Sequence, residues 1–124
     1  MAPLFLLVVT TVASRDEART LARSVVERGL AACAQISAIE SYYAWQGAVE
    51  NDAEFRVLFK VAAASYDAAE LAIRQLHSYE LPAIHAIPVE RAWEPYRAWV
   101  ESNSRPAADI GTAHDGGDGD LGAV

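Results

Sequence analysis

Cysteine occurs once in the 124 residues, at Cys33, so no disulfide can form within the chain and nothing marks an oxidising compartment. Positive charge is scarce: 10 Lys and Arg against 17 Asp and Glu give a formal net charge of -7. That balance argues against a nucleic-acid backbone or an anionic membrane surface as the main partner. Long apolar runs are lacking too. The apolar start, Leu4 to Val9, has no basic segment before it and is too short for a signal peptide or a membrane span, so a soluble cytoplasmic protein is expected. No glycine-rich phosphate loop, Ser-His-Asp order or zinc-ligand spacing occurs. Without a paired acid and base, binding is expected and catalysis is not.

Apolar residues make up 52% of the chain, enough for one packed domain and too few residues for two. That domain is expected over residues 1–105. From Pro106 the composition shifts, and five of the seven glycines lie beyond it together with Asp109, Asp115, Asp118 and Asp120. Such a stretch buries too little apolar area to offset its ordering entropy, so 106–124 reads as a disordered Gly/Asp-rich acidic tail. His114 and its aspartates can hold a hard cation weakly at best, because the oxygen positions and terminal glutamate of a calcium loop are missing.

Within the domain, Leu4 to Val12 is a continuous apolar and β-branched run, as in a central strand. Ser14-Arg15-Asp16-Glu17 has the capping-box form, with the serine hydroxyl taking a free N–H and the glutamate reaching back. Ala18, Leu21, Ala22, Val25, Val26 and Leu30 follow at helical spacing, and Gly29 is the stop. Ser65-Tyr66-Asp67 opens a second helix with Ala68, Leu71, Ala72 and Leu76 as its buried stripe, and Pro82 ends it. Ala83 to Val89 is a short strand, and Pro88 places its end at a sheet edge or a bulge. Trp93 to Ser102 is a last short helix with Pro95 in its first turn.

Between the helices lies the longest feature, Ile36 to Val61, two strands joined at Gln46-Gly47. Tyr42, Tyr43, Trp45, Phe55, Val57, Phe59 and Val61 suit a pleated, half-buried surface, and Glu54, Arg56 and Lys60 alternate with the apolar face. Each arm reaches or exceeds the usual upper limit of about 10 residues. An overhanging ribbon leaves backbone groups and rings without partners, and another copy of the chain can supply them. The order strand, helix, two strands, helix, strand is that of an α+β, ferredoxin-like βαββαβ sandwich with a long β2–β3 hairpin and a short C-terminal helix.

The residues that identify a family come next. Gly29-Leu30-Ala31-Ala32-Cys33-Ala34, Tyr43-Ala44-Trp45-Gln46-Gly47 with Glu50 and Glu54, then Lys60, His77-Ser78-Tyr79-Glu80-Leu81-Pro82 and Tyr96-Arg97-Ala98-Trp99 resemble the CutA family, the divalent-cation-tolerance proteins. The likeness covers about residues 4–103. It implies a ferredoxin-like subunit, a homotrimer held by the long hairpin, and a cytoplasmic role linked to copper and other divalent cations. Ser78 stands where the family commonly has proline. Thr10 and Leu76 stand where some copper-binding members carry a thiol and a second histidine, so His77 is the one such ligand that transfers.

His77 is therefore the candidate metal residue, for Cu(II) or another divalent cation. Imidazole suits copper, and a helix C-terminus favours a cation. Its structural alternative is to cap its own helix. A cleft between subunits is expected from Tyr43, Trp45, Glu50, Lys60, Tyr79 and Glu80. Read structurally, Glu50, Glu54 and Lys60 pair across strands on a solvated face. Cys33, in a run of small apolar residues, reads as inert, and His85 as a satisfied sheet histidine. A trimeric small-ligand sensor, similar in architecture to the PII signalling proteins and needing no metal, is the alternative function.

Overall fold

In the computed structural model, which describes residues 2–105, the elements are β1 (Phe5–Val12), α1 (Arg15–Glu27), β2 (Cys33–Trp45), β3 (Ala48–Val61), α2 (Tyr66–Leu76), β4 (Ile84–Val89) and α3 (Glu94–Ser102). The four strands form one antiparallel sheet in the order β2-β3-β1-β4. This is the expected ferredoxin-like arrangement. The acidic segment 106–124 lies outside the described residues.

The pairing register separates the two faces. Val8 pairs with Phe59 and Thr10 with Val57, and these side chains join Leu21, Val25, Ala69 and Ile73 of α1 and α2 in the core. The opposite face is covered near Phe5 by α3, whose Tyr96 meets Phe5 edge-on and accepts a 2.9 Å hydrogen bond from Lys60 Nζ. The one buried side-chain oxygen without a partner among the described residues is Thr10 Oγ1.

Local signals place the element ends. Ser14 Oγ accepts from Glu17 N–H at 3.1 Å, the first half of the capping box. Gly29 has φ 75°, and a Cβ there would lie 2.9 Å from the carbonyl oxygen of Arg105. Conformation and space both require glycine at this stop. Gln46 and Gly47 both have positive φ, 50° and 83°, the signature of a two-residue I′ hairpin turn. Beneath the loop at Gly29, Ser104 Oγ accepts from Ala62 N–H and donates to Leu30 O, while Ser65 Oγ donates to Ser104 O.

Two packing details differ from the sequence reading. The chain enters α2 through a 3₁₀ turn, Ala63–Ser65, and the buried stripe is Ala69, Ala72 and Ile73. Leu71 is 46% exposed. His85 is exposed on β4, because odd-numbered positions there point away from the core face that holds Ile84 and Ala86.

Candidate functional site

Beyond the core, β2 and β3 continue as a two-stranded ribbon. β1 pairs with β3 from Phe55 to Val61, so Ala48 to Glu54 has β2 alone beside it. Across a groove from this overhang runs the connection from α2 to β4, residues 77–83. The groove has a volume of about 1060 Å³. Glu40, Asp52, Glu54 and Glu80 line it, together with Tyr42, Tyr43, Trp45 and Tyr79. No Lys or Arg is among its described lining residues.

Several ties fix the 77–83 wall. The backbone N–H of Tyr79 donates to His77 Nδ1 at 3.1 Å, so Nδ1 is the acceptor nitrogen. The proton then sits on Nε2, which donates to the carbonyl of Thr11 at 2.8 Å. His77 is thus a neutral imidazole bridging its own loop to β1, and it does not bond the last carbonyls of α2. A metal at Nδ1 would have to displace the Tyr79 N–H. Ser78 donates to Glu17 through both N–H, at 3.2 Å, and Oγ, at 2.7 Å. Glu17 therefore does not complete the capping box; its carboxylate is spent on the loop.

Two phenol–carboxylate pairs set the groove's electrostatics. Tyr79 Oη donates to Glu54 at 2.6 Å, and Tyr43 Oη to Asp52 at 2.5 Å. The bond to Asp52, with minor help from burial and neighbouring carboxylates, pushes the Tyr43 phenol up to about 12. Burial, followed by the bond to Glu54, raises Tyr79 as well. Both phenols keep their protons near neutrality and act as donors.

Of the expected cleft residues, Tyr43, Trp45, Tyr79 and Glu80 come together in one subunit. Glu50 is exposed nearer the hairpin tip, and Lys60 lies at the other end of the sheet over the Tyr96 ring, 5.2 Å from its centre. Glu54 is not on a solvated face: it is 9% exposed, beneath Tyr79. Cys33 is a half-buried free thiol opposite Lys60. Glu17, Glu40 and Asp52 were not legible as site residues. Asp52 alone carried a signal, since it lies diagonally across the hairpin from Tyr43. Among the described residues no three His, Cys, Asp or Glu side chains converge in a group able to hold a metal ion.

The family model described as CutA1 divalent ion tolerance protein matches residues 6–103. The divalent-cation tolerance protein CutA of Thermus thermophilus is 36% identical over 98 residues, covering 78% of this chain and 95% of the relative. Protein CutA of Mus musculus is 37% identical over 97 residues, 77% of this chain, although the chain spans 55% of that longer relative. Among solved structures, CutA1 from Shewanella sp. SIB1 superposes with a TM-score of 0.80 at 35% identity, covering 84% of this chain and 98% of the other. CutA from Archaeoglobus fulgidus, described as periplasmic, gives 0.79 at 30% identity over 82% and 99%. A match spanning the whole described domain, in sequence and in fold, leaves one conclusion: the chain belongs to the CutA1 divalent ion tolerance family.

Proposed function

We propose that the protein works as a cytoplasmic homotrimer that takes up divalent cations, copper foremost, at the boundary between subunits, and that this uptake is its contribution to metal tolerance. The observation that carries the reading is the groove beside the hairpin overhang, walled by four carboxylates with no Lys or Arg among its described lining. Assembly is supported by the overhang itself: Tyr42 is 70% and Val49 77% exposed, and β2 is an edge strand along its full length. No catalytic residue is assigned. A neighbouring subunit would complete a donor set that one subunit does not gather, with His77 as the nitrogen donor once Tyr79 N–H is released.

Native mass spectrometry of the full chain with and without Cu(II), beside His77→Ala, tests this. The expected spectrum shows three subunits and added copper mass, with copper affinity in His77→Ala at least about tenfold weaker, roughly 1.4 kcal/mol. A monomer at micromolar concentration sinks the trimer, and equal copper binding in both proteins removes His77 as a ligand. The metal-independent, PII-like sensor is the second reading. It is favoured by the engagement of both His77 ring nitrogens and by the lack of a three-donor group among the described residues.

A further inference from the structure

Both ring nitrogens of His77 are engaged inside its own subunit, Nε2 with the Thr11 carbonyl and Nδ1 with the Tyr79 N–H. Since Nε2 carries the proton, Nδ1 holds the one lone pair that an N–H or a cation can use. What keeps the Tyr79 N–H in front of it is the setting of the peptide between residues 78 and 79. Ser78 is gripped from α1. Glu17 Oε2 accepts its N–H at 3.2 Å and its Oγ at 2.7 Å, so one oxygen holds both backbone and side chain. A carboxylate acceptor makes such bonds roughly twice as strong as neutral ones. A glutamate three residues after a serine cap ordinarily turns back to its own helix end. Here it reaches 61 positions along the chain instead. All of these ties are made within one subunit, and none involves the hairpin overhang.

We propose that Glu17 and Ser78 are positioning residues that form a latch on His77. While the latch holds, the Tyr79 N–H caps Nδ1; when it opens, Nδ1 is free for a cation. The inference rests on the metal-uptake reading and names the control of its nitrogen donor. A cation at Nδ1 must displace the Tyr79 N–H, and that N–H moves only when the 78–79 peptide turns. The two bonds from Glu17 resist the turn. The other restraints on the loop, His77 to Thr11 and Tyr79 Oη to Glu54, act through side chains and do not fix this peptide. Opening the latch therefore uncaps Nδ1 and leaves the imidazole anchored to β1.

The test compares Glu17→Ala, Ser78→Ala and Ser78→Thr with the wild type as full chains, with sedimentation as the check on assembly. Glu17→Ala spares the helix cap, because Ser14 Oγ accepts from the backbone N–H of residue 17. Hydrogen exchange of the Tyr79 amide, followed by nuclear magnetic resonance, reads the cap with no metal present. It should quicken at least about tenfold in Glu17→Ala. Ser78→Ala keeps the N–H bond and should show a smaller change; Ser78→Thr keeps both bonds and should match the wild type. The buried Val8 and Phe59 amides should not change, which separates an opened latch from a loosened fold. Calorimetric titration with Cu(II) is the second arm, and affinity should rise at least about threefold in Glu17→Ala. Removing a carboxylate weakens the general attraction for cations, so charge alone predicts the opposite sign. Adding His77→Ala should abolish the rise. Unchanged Tyr79 exchange in Glu17→Ala overturns the proposal. So does copper affinity that is unchanged or weaker, or a rise that survives in His77→Ala. Faster exchange with no copper bound by any of the proteins supports the latch on Nδ1 and sinks the metal reading.

Discussion

Between Phe55 and Val61, β3 is flanked by β1 and β2, and Val57, Phe59 and Val61 have no exposed surface. Between Ala48 and Ala53 the same strand has β2 alone beside it, and every residue is exposed. The inner half is held by burial under α1 and α2. The outer half is held by one hydrogen-bonded ladder and by phenol–carboxylate bonds. Folding accounts for the residues of the first; it does not account for Tyr42, Val49 and Trp45 in the second, where apolar surface faces water. Tyr42 and Val49 make sense as surfaces for another copy of the chain, which is where the proposed assembly places them.

The sharpest way to break this contrast is in the inner half. Phe59→Ala should cost about 3–5 kcal/mol, because it deletes a fully buried ring among β-branched neighbours. Chemical denaturation measures it, and a loss below about 1 kcal/mol would show that the core is looser than its burial implies. An intermediate effect is expected where the halves meet. Tyr79→Phe removes the donor to buried Glu54 and should cost about 1–2 kcal/mol. An unchanged unfolding midpoint would mean that water replaces the phenol freely. The smallest effect belongs to the outer half. A phenol raised in the folded protein stabilises it fully below the ordinary value of 10.0, and that stability is lost as pH climbs through about 12. Ultraviolet titration of tyrosinate should therefore show a late phenol near pH 12 in the wild type that is missing from Tyr43→Phe. Identical curves would remove the Tyr43–Asp52 bond from the account.

What was legible in the sequence was local. The apolar run of β1, Ser14 at a helix start, Gly29 at its stop and Gln46-Gly47 at a hairpin turn each act over a few residues, and each stands where expected. Failures came where partners are distant. Leu71 lies outside the stripe because α2 turns Ala69, Ala72 and Ile73 to the core, a rotation set by packing against distant elements. Glu17 finds Ser78, 61 positions away, and Glu54 finds Tyr79, 25 away. Lys60 reaches Tyr96 on a helix that the sequence placed without showing which sheet face it covers. Tyr43, Trp45, Tyr79 and Glu80 were found by the family resemblance. The carboxylates of Glu40 and Asp52 beside them were not, since residues from the two hairpin arms meet the 77–83 loop only in three dimensions.

The Ser104 cluster fixes where new chain can be attached. Its hydrogen bonds to Leu30 and Ala62 hold the end of the described chain beside the last residue of β3, and Leu6, near the start of β1, pairs with that same residue, Val61. Both ends of the domain therefore leave from one pole. The turn at Gln46-Gly47 marks the other pole, separated by the 14 residues of β3, or about 45 Å of strand. An affinity tag, a fluorophore or a whole fused domain can be joined at either end and still begin a full strand length from the hairpin tip. For anyone building sensors or cages from this subunit, a partner fused at that pole starts well away from the hairpin tip.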